Sequence, residues 1–421
     1  MAMQCVDREF VPVMLGGDIN TYSVARAFYE EYGVRSYVFG KYPTGPSYQS
    51  KFITYEANVQ IDREDYFIER INRFASEQVD MAQSDRAGVS QGEPIKKKVL
   101  LIGCGDSYVA LASKLRNKLA DNIIVPYIDF QLMDQLQHKE LFYGLCEKYG
   151  LGYPGTIIHR EEMGLDFQCD FSFPVIVKPS NSIMYWEHPF PGQDKVFKAK
   201  DRAEMESILS KIYGAGYKEA VIIQDMIPGN DEYMRVLTAY SDRSGKVKMM
   251  CLGHVLLEEH TPHGSGNHAI IIPEYDEELM AKTKAMLENL NYTGFSNFDI
   301  KYDRRDGTYR FFEINTRQGR SNFYVTNAGF NVAKLLVEDY IYEKEIPYSD
   351  KFEDRLWLTV PKGVARKYVK EPENLKHLNR LIREDKYVNP VFKKGDNNVI
   401  RTLRMLKTHF KQYSNYRTYY K

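Results

Sequence analysis

Glu313, Asn315 and Arg317 fall two residues apart in the run FFEINTRQGR, so a strand there turns an acid, an amide and a guanidinium to one face. The acid has a counterpart. Asp299 lies seven residues before Asp306 in the turn RRDG, and Glu313 lies seven after it. Strands paired antiparallel about that turn set the two carboxylates opposite one another, where they repel unless a positive charge sits between them. With the Asn315 amide oxygen they form an all-oxygen donor set, which suits Mg²⁺ and leaves its other positions to phosphate and water. The alternative is a solvated polar strand face whose acids pair with nearby Arg or Lys. Phe298, Ile300, Phe311, Phe312 and Ile314 favour a buried hairpin, and burial favours a paired or metal-bound acid.

Such a cation would be partnered by a nucleoside triphosphate, so a phosphate site is expected elsewhere in the chain. No GxxxxGK[ST] run is present, and no HRD or DFG set. GCGDSY, Gly103 to Tyr108, follows a strand and opens a helix, but Tyr108 stands where a dinucleotide fingerprint needs its third Gly; a tight strand-to-helix turn explains it equally well. Gly16 and Gly17 carry the same ambiguity. Lys178 is the better candidate. It ends the apolar strand VIVK and must reach an anion or solvent, and Ser180, Asn181 and Ser182 behind it offer N–H groups and hydroxyls on a loop long enough to act as a lid. Snorkelling at a strand end is the competing reading for Lys178. VIIQDMIPGND runs an apolar strand into a Pro-Gly turn, a hinge whose backbone could read a purine edge, with Asp231 placed to accept from ribose hydroxyls. His260, His263 and His268 lie in EEHTPHGSGNHA, a segment that reads as a mobile cover for a second substrate. No acid or Cys completes a transition-metal set with them.

The elements that must position these groups change character along the chain. FVPVML, NTYSVARAFYEEYG and SYVF read strand–helix–strand, with Asp18 or Asn20 as cap and Gly33 as stop; KKKVLLIGCG, DSYVALASKLRNKL and NIIVPYI repeat the pattern. That is α/β, a parallel sheet covered on both faces, over residues 1–130. A polar loop is expected between the two units. From HKELFYGLCEKYG onward strands mix with helices, many of them antiparallel, which marks α+β. The expected segments are 131–220 with the phosphate loop, 221–345 with the acidic hairpin, and a basic extension at 346–421.

Bulk properties set the limits. A chain of 421 residues exceeds one ordinary core, and 57 Lys+Arg against 57 Asp+Glu gives no global attraction to nucleic acid. The balance is local: Arg355 to Lys421 holds 17 Lys/Arg against 5 Asp/Glu. A solvated basic tail is one reading, and an anionic partner or membrane surface is the other. Five scattered cysteines without CxxC argue for a reducing compartment. With no apparent signal peptide and no apolar run of membrane-spanning length, a cytoplasmic protein is expected.

Taken in order, Lys139 on its helix, VIVKPS, QDMIPGND and FDIKYD…FFEINTR behind an N-terminal Rossmann-like domain resemble the ATP-grasp superfamily of carboxylate–amine ligases, over roughly residues 10–345. LGGDIN, KPSNS and EINTRQGRSN are most similar to bacterial D-aspartate ligases, which add D-aspartate to the lysine side chain of a peptidoglycan precursor. The resemblance implies ATP and one or two Mg²⁺ as cofactors. It places Lys139 and Lys178 on the α- and β-phosphates, Gln224, Asp225 and Met226 at adenine, Asp231 at ribose, and Asp299, Glu313 and Asn315 on the metal. Arg317 would bind the transferring phosphoryl group, and Arg320 the substrate carboxylate. The implied course is an acyl phosphate that an amine then displaces. The implied partners are small carboxylate and amine substrates, with a nucleotide-linked cell-wall precursor as one candidate bearer of the amine, and a homodimer is compatible with the resemblance. The competing readings are an ATP-grasp ligase for another amino acid or small carboxylate, an ATP-binding regulatory protein without catalysis, and a nicotinamide oxidoreductase using the N-terminal domain.

Overall fold

The computed structural model describes residues 5–79 and 96–420; the polar loop expected between the two N-terminal units lies mostly outside them. β1 (Phe10–Leu15), α1 (Ile19–Tyr32), β2 (Ser36–Gly40), β3 (Ile53–Ala57), α2 (Glu64–Ser76), β4 (Lys98–Gly103), α3 (Asp106–Lys114) and β5 (Ile123–Ile124) build a parallel sheet of order β3-β2-β1-β4-β5. Every residue of β1 is buried, as a strand covered on both faces requires. Of the two cap candidates for α1, Asp18 accepts from the Thr21 N–H, and Gly33 closes the helix at φ 66°. The strand order reverses between β1 and β4, so a crevice opens at their carboxyl ends, beside Gly16 and Gly103.

α4 (Phe130–Gln137) and α5 (Lys139–Lys148) lead to a second body. Here β6 (Thr156–His159), β7 (Val175–Pro179), β8 (Phe197–Ala199) and β9 (Val221–Asp225) pair antiparallel as β6-β9-β7-β8, with α6 (Ser182–Trp186) and α7 (Arg202–Gly214) between them. β9, which the sequence reading groups with the following segment, belongs to this sheet. Val175 and Val177 join Leu209 and Ile212 of α7 in the core, so the strand period turns Lys178 to the opposite, open face. The stretch after Lys178 is not wholly a loop, because α6 forms within it.

The third body holds β10 (Met234–Ser241), β11 (Val247–Glu258), β12 (His268–Glu274), α8 (Glu277–Asn289), β13 (Gly294–Asp303), β14 (Thr308–Asn315), α9 (Phe323–Asn327) and α10 (Val332–Tyr340). β15 (Leu356–Leu358), α11 (Lys362–Tyr368), α12 (Pro372–Arg383), β16 (Tyr387–Val388) and α13 (Val399–Tyr419) complete it. Its sheet runs β14-β13-β10-β11-β12-β15-β16. The reading of the C-terminal segment as a solvated tail is therefore corrected: it supplies two strands, and Leu356, Leu358, Val364 and Leu381 bury against Ile270 and Ile272. The same segment straps the N-terminal sheet. Asp396 accepts from Tyr22 Oη (2.8 Å), Ser50 Oγ (2.9 Å) and the Lys51 N–H (2.8 Å), and meets Arg401 at 3.2 Å. Among the described residues, no helix is long and apolar enough to cross a membrane.

Candidate active site

β13 and β14 pair so that Asp299 stands directly opposite Glu313, and Asn297 opposite Asn315. The turn closes one residue tighter than equal spacing about Asp306 allows, with Asp303 opposite Thr308, and a bulge at Phe312 restores the register. That bulge does local work. The Phe312 carbonyl, left out of the ladder, accepts from Lys139 Nζ (3.3 Å) and Tyr143 Oη (3.1 Å), which pins α5 against the hairpin. Lys139 Nζ also donates to Glu313 Oε2 at 2.9 Å.

The charges at this point are out of balance. Burial, then the facing Glu313 and Glu258, push the Asp299 carboxyl well above its usual range. The Lys139 ammonium holds Glu313 well below its own. Lys178 faces the same carboxylate, and burial together with Lys139 pushes its ammonium down to about 7. It has neither a hydrogen bond nor an ion pair among the described residues, which is the cost of parking a cation where only an anionic ligand would complete it. Arg317 donates from Nε and Nη2 to the two oxygens of Asp106 (2.7 and 2.9 Å), and lies 3.4 Å from Asn315 Oδ1.

Two opposed carboxylates with an amide beside them fit a hard divalent cation. As placed, Asn315 turns Nδ2 to Asp299 (3.2 Å); exchanging the amide ends presents the oxygen instead. Among the described residues, no group of three or more His, Cys, Asp or Glu is placed to hold a metal ion.

No protein-family model matches the chain. A D-aspartate ligase of Enterococcus faecium (strain Aus0004) is 43% identical over 408 residues, spanning 95% of this chain and 94% of that one. The chain belongs to the D-aspartate ligase family. It is an enzyme, an ADP-forming carboxylate–amine ligase on an ATP-grasp fold. The fold is shared with an N5-carboxyaminoimidazole ribonucleotide synthetase solved with ADP (TM-score 0.60, 13% identity, 90% of this chain and 97% of that one). It is also shared with the biotin carboxylase domain of the Hydrogenobacter thermophilus 2-oxoglutarate carboxylase, solved with MgADP (TM-score 0.57, 13% identity, 83% and 73%).

In this ligase the remaining candidate residues divide between open positions and braces. Gln224 is buried, and its Nε2 donates to Tyr143 Oη (2.8 Å) and Thr156 Oγ1 (2.9 Å). The Asp225 carboxylate is held by Arg305 (3.2 and 2.5 Å), and its N–H donates to the Gly155 carbonyl. The Gln224 nitrogen and the Asp225 carboxylate are engaged within the chain, so an adenine reading rests mainly on the backbone near Met226. Ser180 Oγ lies 3.4 Å from Tyr217 Oη, the Asn181 N–H donates to the same hydroxyl, and Asn181 Oδ1 accepts from the Met184 N–H at the start of α6. Ser182 is the first residue of α6, and its side chain lies outside the described positions. Asp231 Oδ2 accepts from the Glu258 N–H (2.9 Å) and His260 Nε2 (2.8 Å). Arg320 Nη2 donates to Glu259 (2.9 Å), while its buried Nη1 makes no hydrogen bond among the described residues.

Three positions escaped the sequence reading. Asp106 fixes Arg317, and its only signal was GCGDSY. Glu258 ends β11 beside Asp231; its buried Oε1 makes no hydrogen bond among the described residues and lies 3.8 Å from His268 Nε2, and its carboxyl is pushed up to about 7 by burial and then by Asp231. Gln318 enters the crevice between β1 and β4: its Nε2 donates to the Gly103 carbonyl (2.9 Å) and its Oε1 accepts from Tyr127 (3.3 Å). Asn20 and Asn322 join it through a 2.8 Å bond. Gly319 permits the approach, since a Cβ there would lie 2.4 Å from Asn297 Oδ1. The oxidoreductase alternative fails on this plug, because the crevice that would take a dinucleotide is filled by the QGRSN turn.

Proposed function

We propose that this ligase activates one carboxylate of D-aspartate as an acyl phosphate and passes the acyl group to the lysine side-chain amine of a peptidoglycan precursor. A carboxylate oxygen attacks the γ-phosphorus of ATP and ADP leaves; the amine nitrogen then attacks the acyl carbon, phosphate leaves, and the amine gives up a proton. The observation that carries this reading is the opposed Asp299–Glu313 pair flanked by the ammonium groups of Lys139 and Lys178. The 43% identity to a D-aspartate ligase supports the choice of acid.

Lys139 and Lys178 would hold the α- and β-phosphates, the latter gaining the partner it lacks. Asp299, Glu313 and Asn315 would hold Mg²⁺, one ion or two, which supplies charge neutralisation when bound. Arg317, pre-aimed by Asp106, would meet the transferring phosphoryl group, and the unpartnered Nη1 of Arg320 suits the carboxylate of aspartate that does not react. Met226 would meet adenine through its backbone, and Asp231, with Oδ1 making no hydrogen bond among the described residues, would accept from ribose. The chain's work is positioning and charge placement.

The test is ATP-dependent ADP release across D- and L-amino acids, with a lysine-containing muramyl peptide as acceptor. D-aspartate is expected to give the largest stimulation, and only with acceptor present should amide product accumulate. Stimulation by another acid in preference would replace the substrate, and none by any carboxylate would remove the ligase reading for this chain.

A further inference from the structure

α13 is anchored along one side and bare along the other. Arg401, Met405 and Tyr416 are buried, His409 bonds the Thr359 carbonyl, and Arg404 donates to the carbonyls of Gly45 and Tyr48. On the free side stand Val399 (70% exposed), Ile400 (63%), Leu403 (63%) and Phe410 (60%). At 100° per residue, Val399, Leu403 and Phe410 fall within one narrow stripe, with Lys407 and Lys411 along its flank and Arg417 at its end. This one helix carries six of the eighteen large hydrophobic side chains exposed among the described residues, although it is only 21 residues long. It contains no Asp or Glu, against five Arg and Lys.

A bare apolar stripe costs free energy in water unless something covers it. The charge decides what. A second copy of this helix would bring like charges together across a two-fold axis, whereas an anionic surface matches them. A single polynucleotide strand would meet the basic residues but leave Ile400, Leu403 and Phe410 in water. We propose that α13 docks the enzyme on an anionic bilayer surface, with Val399, Ile400, Leu403 and Phe410 among the acyl chains and Lys407, Lys411 and Arg417 at the head groups. The helix lies in the interface and does not span it, as its basic residues and fixed inner face require. A groove of about 430 Å³ beside it, between α11 and α13, is lined by Val364, Lys367, Phe410, Tyr413 and Arg417. Its two cations flank an apolar floor, the arrangement a lipid phosphate and its chain would fill.

This inference is independent of which acid or amine the ligase uses, because its test reads no turnover. The full chain is floated with vesicles of phosphatidylglycerol and phosphatidylcholine in equal parts, and with phosphatidylcholine alone. Binding to the anionic vesicles is expected, weakening as salt is raised. Leu403→Ser with Phe410→Ser should lower the partition constant by about tenfold or more, and Lys407→Glu with Lys411→Glu likewise. Both pairs should keep the wild-type melting temperature, because all four side chains are exposed. Absence of flotation with anionic vesicles, or equal flotation of the Leu403→Ser/Phe410→Ser chain, overturns the proposal. So does light scattering showing a dimer that the same pair dissolves, which would assign the stripe to a second copy.

Discussion

Glu313–Asn315 and Gln318–Asn322 are separated by two residues, yet they are built on opposite principles. Around Glu313 the charges are left unfinished: two carboxyl groups face each other, and Lys178 has no hydrogen bond or ion pair among the described residues. Around Gln318 the side-chain amide is satisfied at both ends, by the Gly103 carbonyl and Tyr127 Oη, and Asn20 donates to its backbone carbonyl, while Asn322 Oδ1 makes no hydrogen bond among the described residues. The first region is arranged for something absent from the polypeptide, and the second joins two bodies of the fold. Substitutions in the two regions should therefore separate activity from stability in opposite directions.

The largest effect is expected at Glu313. Glu313→Gln keeps the shape but removes the charge facing Asp299, and kcat for ADP release should fall by about 10³-fold. Lys139 loses its ion pair, while Asp299 is released from the charge that raises its carboxyl, so the melting temperature should move little. Full activity in this variant would remove Glu313 from the metal assignment. Lys178→Met comes next. Losing one phosphate contact should weaken MgATP binding by about tenfold to a hundredfold in calorimetry, with a melting temperature equal to or above wild type, since an unpaired half-buried ammonium has gone. A marked loss of stability would mean that Lys178 is paired in a way its surroundings do not show.

Much of the first region was legible in advance because it rests on local rules. Equal spacing about RRDG points to the right pair, Asp299 and Glu313, because two departures from it cancel: a turn one residue tighter and the bulge at Phe312. The bulge at Phe312, which decides where Lys139 and Tyr143 attach, has no comparable sequence mark. The second region depends on pairs far apart in the chain: Gln318 meets Gly103, and Arg317 meets Asp106, 211 positions away. Gln224 shows the same limit: its Nε2 is held by Tyr143 and Thr156, from an earlier helix and strand, contacts that no local pattern marks. The C-terminal segment was readable as charge but not as structure, because LWL is too short to stand out as a strand.

Gln318→Leu should invert the pattern of the first two variants. It removes one of two donors on the Gly103 carbonyl, the other being Tyr127 Oη (3.1 Å), and takes an acceptor from Tyr127, for a loss of about 1 kcal/mol in denaturant unfolding. Its turnover at saturating substrates should stay within a fewfold of wild type. A large drop in kcat at unchanged stability would instead make the crevice part of the reaction site, and the contrast between the two regions would fail.

The smallest effect belongs to Glu258, which extends the unfinished region toward Asp231. Burial and the Asp231 charge raise its carboxyl to about 7, above the ordinary value near 4.5 that it regains on unfolding. Between those values the folded chain binds more protons than the unfolded chain, so this group's contribution to stability falls as pH rises from about 4.5 to 7 and is level above that. Glu258→Gln removes the titration. Its melting temperature relative to wild type should therefore climb by a few degrees across that interval and then stay constant. The direction is the decisive feature: a gap that shrinks with rising pH would mean that Glu258 is stabilised as a carboxylate, through Lys301 or His260, and that this end of the cleft is as complete as the Gln318 plug.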